Sequence, residues 1–427
     1  MELKPSKPTR RRAVAALGLS VLTPVVGSAT ARASTAPRTG GAPRGGRMPL
    51  AMTLPVPTGR CPVGTTAMHL VDASRRDPWV PGRHRELMVS LWYPARPAPG
   101  CSVARQLPPG TAARWGALAA AEFGMPPTGV DWTVTRTHSV TGAPAWRQRG
   151  GLPVVLYSPG KNVPRGFGTV LAEDLASHGY VVAAVDHTYE TLAVEFPGGR
   201  LVEELPETEP HDMDGMRRLM GARVADVRFV LDRLEALNTG GQPDAGRQPL
   251  PLPAGLWRGL DLSAVGVFGH SLGGATAAQV MHDDRRVAAA ADLDGGVGTA
   301  DDPVGSVVVD GLDHPFLLMN SAIGNSRDAA LASLWRHLRG WHRNIQLPSA
   351  GHYSYTDLQA QFPQVAAAGM MPASEVTKTL GTVDSARSLH IQRTYLGAFF
   401  DLHLRHMPDH GLLDGPSPHY PEAVFID

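Results

Sequence analysis

The sequence predicts an α/β protein whose core is a mostly parallel sheet with helices on both faces. Three observations predict it. Almost wholly apolar runs of strand length recur along the chain, and stretches of helix length separate them. A Gly-x-Ser-x-Gly pentapeptide also sits where one apolar run passes into a helix.

Taken in order, residues 34–60 are rich in Gly, Pro, Thr and Arg and read as a flexible arm. From Cys61 the pattern is globular. Residues 87–93 make a strand ended by Pro94, and residues 111–122 an Ala-rich helix. Residues 152–157 (LPVVLY) are apolar throughout, as in a strand covered on both faces. Residues 167–178 fit a helix with Gly179 as its C′ residue, and 180–185 (YVVAAV) a second buried strand. Strand, helix and strand in so short a span form a βαβ unit, which makes the two strands parallel. The polar stretch from Asp186 to Asp214 carries no assigned element. Residues 216–237 form an amphipathic helix with Val224, Val227, Val230, Leu231 and Leu234 on one side. A Gly/Pro-rich loop fills 238–260. Residues 265–268, Val287–Leu293, 316–320 and 344–347 are further strands, a helix starts at 273–281, and another covers 383–402. His337 and His342 flank Trp341 in a region read as helical. No internal repeat breaks the alternation, so residues 61–427 are read as one catalytic domain.

The chain of 427 residues is 43% hydrophobic and 19% charged, which excludes a disordered or coiled-coil protein. A net charge of +1 gives no global attraction to nucleic acid or an anionic membrane. Lys4, Lys7 and Arg10 to Arg12 precede the apolar run 13–26, and Ala31-Arg32-Ala33 makes a cleavage site. Residues 1–33 therefore read as a secretory signal peptide, and the run is too short to span a bilayer. Thr9-Arg10-Arg11-Arg12 also resembles a twin-arginine export signal, so both export routes stay open. Without residues 1–33 the balance is 34 basic against 38 acidic residues, or −4. The expectation is a soluble, secreted protein. The two cysteines, Cys61 and Cys101, cannot make a four-cysteine zinc site. In an oxidising compartment they are expected to pair as a structural disulfide, with two free thiols as the alternative.

The pentapeptide is Gly269-His270-Ser271-Leu272-Gly273. Between a buried strand and a helix, such a turn projects the serine hydroxyl above the sheet and frees the Leu272 N–H to meet an oxyanion. A serine hydroxyl needs a base, and the base needs an orienting group. Asp294 follows the strand Val287–Leu293 and is favoured as the acid; Asp292 is its local competitor. The strand after it ends in Asn320-Ser321, which carries no acid; Asp328 lies eight residues beyond Asn320. His352, in the loop after residues 344–347, is the candidate base, whereas His270 reads as packing and His390 as helical. Tyr157-Ser158-Pro159-Gly160-Lys161 ends the first strand of the βαβ unit, and the Lys161 N–H is the candidate second oxyanion donor. The Lys161 side chain either faces an anionic group at the mouth or is solvated. Ala275-Thr276 follows Gly273-Gly274, so a phosphate-binding loop is absent.

These residues resemble the plasma-type (group VII) platelet-activating factor acetylhydrolases and their bacterial relatives. The resemblance rests on LPVVLYSPG (152–160), DLASHGYVVAAVDHTYE (174–190), VGVFGHSLGGATA (265–277), Leu293-Asp294, PFLLMNS (315–321) and Gly351-His352. It implies an α/β-hydrolase fold, a triad of Ser271, Asp294 and His352, oxyanion donors at Leu272 and Lys161, and neither metal nor cofactor. The family's usual histidine before the oxyanion glycine is Pro159 here, and residues 187–215 and 238–258 do not match. The expected activity is that of a secreted serine esterase on short-chain acyl esters of lipid-like alcohols. Its expected partner is a small-molecule or lipid ester, with transient lipid-surface contact and no nucleic acid. The alternatives are a broader secreted lipase or polyester hydrolase, an amidase, and a catalytically inactive binding scaffold.

Overall fold

The apolar runs lie side by side in one sheet. The computed structural model describes residues 49–96, 98–244, 252–299, 302–321 and 329–426. The signal peptide at 1–33, the first part of the arm and Asp328 fall outside the described residues. β1 (Val63–Arg76) and β2 (His84–Pro94) pair antiparallel and lead through β3 (Val103–Arg105), α1 (Pro109–Glu122) and β4 (Arg136–Thr141) into the βαβ unit. That unit is β5 (Leu152–Ser158), α2 (Thr169–Ser177) and β6 (Val181–Asp186). A hairpin, β7 (Ala193–Phe196) and β8 (Arg200–Glu203), precedes the long helix α3 (Met213–Thr239). Then come β9 (Leu260–His270), α4 (Leu272–Asp283), β10 (Val287–Leu293), the short pair β11 (Gly298–Thr299) and β12 (Asp302–Pro303), and α5 (Val307–Asp310). The chain closes through β13 (Phe316–Ser321), α6 (Ala329–His337), β14 (His342–Leu347), α7 (Leu358–Ala367), α8 (Ala373–Leu380), α9 (Ser385–Arg405) and β15 (Val424–Ile426).

The main sheet runs β15-β14-β13-β10-β9-β5-β6-β2-β1-β4-β3, and its centre, from β14 to β6, is parallel. Pleat alternation splits each central strand between two cores. Val154 and Leu156 of β5 pack with α3 and α4 on one face, and Val155 and Tyr157 with α2 and α9 on the other. This two-sided burial is why these strands carry no polar alternation. The fold is the expected α/β-hydrolase architecture.

Several expectations change. The arm is not free over its described length: Met52 and Leu54 are 2% and 5% exposed, and Asp174 accepts hydrogen bonds from the Thr58 N–H and hydroxyl. Its few apolar residues show no periodicity, so composition alone misread it. Cys61 and Cys101 are both free thiols, one half-buried and one exposed. They precede β1 and β3, and β4 lies between those strands. Two strand spacings, about 10 Å, exceed the Cα reach of a disulfide, about 7 Å. His342 begins a strand rather than extending a helix. The polar stretch 187–214 holds the β7–β8 hairpin, and β9 begins at Leu260, inside the expected loop.

A buried ionic knot ties β2 to α3. Arg85 is fully buried; it donates to both oxygens of Asp226, at 3.0 and 2.7 Å, and to Asp77 and the Thr188 carbonyl. Burial alone would raise the Asp226 pKa, but Arg85, His187 and Arg75 hold it far below the usual range. Replacing Arg85 by Ala would take the guanidinium from two buried carboxylates, leaving Asp226 with Arg75 and His187 and Asp77 with the Trp79 and Val80 N–H groups. We expect Arg85→Ala to cost about 3–5 kcal/mol in denaturant unfolding; a loss under about 1 kcal/mol would show that water or rearrangement supplies the missing partner.

Candidate active site

The carboxyl ends of parallel strands share one edge of the sheet, where connecting loops converge. β9 delivers Ser271, β10 delivers Asp294, and the loop after β14 delivers His352. Ser271 adopts φ 56° and ψ −126°, in the sparsely populated left-handed region. Close backbone packing around the turn holds the strain. A Cβ on Gly273 would lie 1.9 Å from the Ser158 carbonyl oxygen, so only glycine lets α4 start this close to the loop after β5. From that loop, a Cβ on Gly160 would reach within 3.3 Å of the Ser271 Cβ.

The three expected side chains meet. His352 Nε2 lies 3.0 Å from Ser271 Oγ, and His352 Nδ1 lies 2.6 Å from Asp294 Oδ2. An ionised carboxylate only accepts, so Nδ1 carries the ring proton and Nε2 is left to accept from the serine hydroxyl. Burial would raise the Asp294 pKa, but the hydrogen bond and charge of His352, with the N–H and hydroxyl of Ser321, hold it below the usual range. Those Ser321 bonds measure 2.6 and 3.0 Å. His270 lies against the His352 ring, with centroids 4.7 Å apart, and donates from Nε2 to the His352 carbonyl at 2.9 Å. Burial pulls its pKa down to about 3, so it is neutral there.

Asp292 is not on His352. Asp294 has φ 59°, which ends the strand alternation and turns its carboxylate toward β13. Asp292 stays in β10, accepts from the Gly295 N–H at 2.7 Å, and packs where a Cβ on Gly274 would stand. Its other oxygen has no hydrogen-bond partner among the described residues. Burial raises its pKa to about 8, and neighbouring Asp294 adds to the rise.

The Leu272 and Lys161 N–H groups have no hydrogen-bond partner among the described residues. The Lys161 side chain neither waits at the mouth nor sits in solvent. Its ammonium is 2.7 Å from Glu209 Oε2, with the side chain 5% exposed. Sequence reasoning missed Ser321, although it sits at the end of the strand searched for an acid. It also missed the His270 contact, which depends on how the loop after β14 folds back. No group of His, Cys, Asp and Glu able to hold a metal ion occurs among the described residues.

With this geometry in place, the likeness to known proteins is informative. The family model "Platelet-activating factor acetylhydrolase, isoform II" matches residues 132–410. The chain belongs to that family. A probable 1-alkyl-2-acetylglycerophosphocholine esterase of Arthroderma benhamiae is 30% identical over 65% of this chain and 67% of its own length. The guinea pig (Cavia porcellus) platelet-activating factor acetylhydrolase is 27% identical over 48% of each chain, so the match spans about half of that relative. A solved ferulic acid esterase from Streptomyces cinnamoneus is 38% identical, with a TM-score of 0.70, covering 88% of this chain and all of that one. This acetylhydrolase-family chain is a hydrolase of carboxylic esters.

The Asp292 carboxyl gives a pH signature. An acid whose pKa is higher folded than unfolded stabilises the fold fully below its unfolded value, about 4, and that stability drains as pH rises through the folded value. The drain therefore runs from there to about 8. Asp292→Asn keeps the shape and cannot ionise, so it should gain on the parent as pH rises through that window, by at most about 1.4 kcal/mol per pH unit. Unfolding midpoints of both proteins across the window check this; a constant gap would mean Asp292 is already ionised in the fold.

Proposed function

We propose that this family member is a secreted serine esterase that removes short acyl groups from lipid-like alcohols, with Ser271, Asp294 and His352 as its triad. The observation that carries the reading is the continuous relay from Ser271 Oγ through both His352 nitrogens to a carboxylate held by Ser321. The Ser271 oxygen adds to the ester carbonyl carbon as His352 Nε2 takes its proton. Asp294 steadies the resulting imidazolium. The carbonyl oxygen becomes an oxyanion facing the Leu272 and Lys161 N–H groups. The intermediate then collapses, His352 protonates the departing alkoxide, and the acyl group stays on Ser271. Water, activated by the same histidine, repeats the addition and releases the acid.

The acyl preference follows the acetyl-ester name of the fungal relative. A second reading takes an aromatic acyl group, since the ferulic acid esterase shares more identity over more of the chain. Export is supported by the leader pattern of residues 1–33. No helix among the described residues is long and apolar enough to cross a membrane.

Hydrolysis of p-nitrophenyl esters from acetyl to palmitoyl, beside a feruloyl ester, separates these readings. We expect a maximum at acetyl or butyryl. A long-chain maximum would point to a lipase, and a feruloyl maximum to the aromatic reading. Ser271→Ala should abolish turnover, and Asp294→Asn should lower kcat by about 10⁴. Undiminished turnover by Ser271→Ala would remove the triad mechanism.

A further inference from the structure

Behind the loop after β5 lies a polar network that the triad does not use. Ser158 Oγ is 3.0 Å from His187 Nε2, and His187 Nδ1 is 2.9 Å from Asp226 Oδ2. The order repeats the catalytic relay, but all three residues are completely buried, so no substrate reaches Ser158. Beside it, Arg223 of α3 and Glu190 are also buried and form an ion pair at 2.6 Å, off the hydrogen-bond axis. Arg223 donates from Nη1 to the Pro159 carbonyl at 2.6 Å. The Glu190 carbonyl accepts the Asn162 N–H at 3.2 Å, and the Asn162 carbonyl accepts the Leu192 N–H at 3.3 Å.

Glu190 is therefore the hub of two clamps, one on each side of Gly160-Lys161. Its side chain holds Arg223, which holds Pro159; its main chain holds Asn162. A peptide plane is rigid, so fixing the Pro159 oxygen fixes the plane that enters Gly160. Glycine is the soft joint between that plane and the Lys161 N–H. Unclamped, the joint could turn a carbonyl oxygen toward the reacting centre, where it would repel the developing charge.

We propose that the buried Arg223–Glu190 pair positions the oxyanion loop, holding the Lys161 N–H in place for the tetrahedral intermediate. Both are positioning residues, and the inference rests on the reading of Lys161 as an oxyanion donor. Arginine suits the role because its planar fork can serve a carboxylate and a carbonyl together, which an ammonium does less well.

The test uses Arg223→Lys, Arg223→Met and Glu190→Gln in the full-length enzyme, with a short-chain p-nitrophenyl ester and a trifluoromethyl ketone. Ser271 adds to that ketone, His352 takes the proton, and the hemiketal oxyanion occupies the same hole. We expect kcat to fall by roughly 10–100-fold with KM within about threefold. Ketone affinity should fall by the same factor as kcat, and the acidic limb of the pH–rate profile should not move. A merely structural pair would shift the melting temperature and leave ketone affinity per folded molecule intact. Folded Arg223→Lys and Glu190→Gln enzymes with kcat and ketone affinity near wild type would overturn the proposal. So would a fall in kcat without a fall in ketone affinity, or failure of all three variants to fold. If the wild-type enzyme shows no Ser271-dependent turnover, the esterase mechanism itself fails; if it turns over and the variants match it, only the positioning role does.

Discussion

Backbone crowding at the strand-to-helix turn around Ser271 is the constraint on which the rest of the site depends. Ser271 occupies a conformation that a non-glycine residue holds only when its surroundings over-determine it. Here backbone supplies that surrounding. A Cβ on Gly269 would fall 2.1 Å from the Gly273 carbonyl oxygen, and one on Gly273 would meet Ser158 and Pro159. Strand β9, helix α4 and the loop after β5 are thus in contact main chain to main chain. Side chains at these positions would push the loop away from Ser271. The G-x-S-x-G pattern is the sequence trace of that contact.

The same crowding sorts the buried carboxylates by partner. Asp292 and Asp294 are two residues apart on one strand end, and both are buried. Asp294 receives donors from Ser321 and His352 and stays below its usual pKa; Asp292 receives one N–H and is pushed up. Burial acts alike on both, so the difference lies in the donors. The left-handed turn at Asp294 decides which carboxyl reaches them.

The parts of this structure legible in the sequence are those governed by local pattern. Strand β10 matches its expected bounds, and β5, β6 and β13 match within a residue or so, because burial on both faces leaves an unbroken apolar run. The elbow was legible because its glycines answer a local steric demand. His352, singled out among 17 histidines by its place after the last central strand, lies within hydrogen-bond distance of Ser271 and Asp294. What escaped depends on distant partners. Ser321 matters because β13 lies beside β10, and Arg223 matters because α3 crosses the loop after β5. In sequence, Arg223 looks like a charged helix residue, yet it is fully buried. The arm at 49–60 and the β7–β8 hairpin failed for a related reason: their order comes from what they pack against.

This division bears on specificity. The polar stretch between β6 and α3 holds few of the residues that carry the family resemblance, so it reads at first as a detachable surface loop. Its contacts say otherwise. Glu190 takes the Asn162 N–H and holds Arg223, while Glu209 takes the Lys161 ammonium. Lys161 and Asn162 belong to the loop that faces Ser271. This stretch is therefore bonded to the loop that lies against Ser271. Changes in it also pull on residues 159–162, unless the Glu190 and Glu209 contacts are kept. A change of substrate in this family member would then be easier at positions between those two anchors, in the β7–β8 hairpin, than at the anchors themselves.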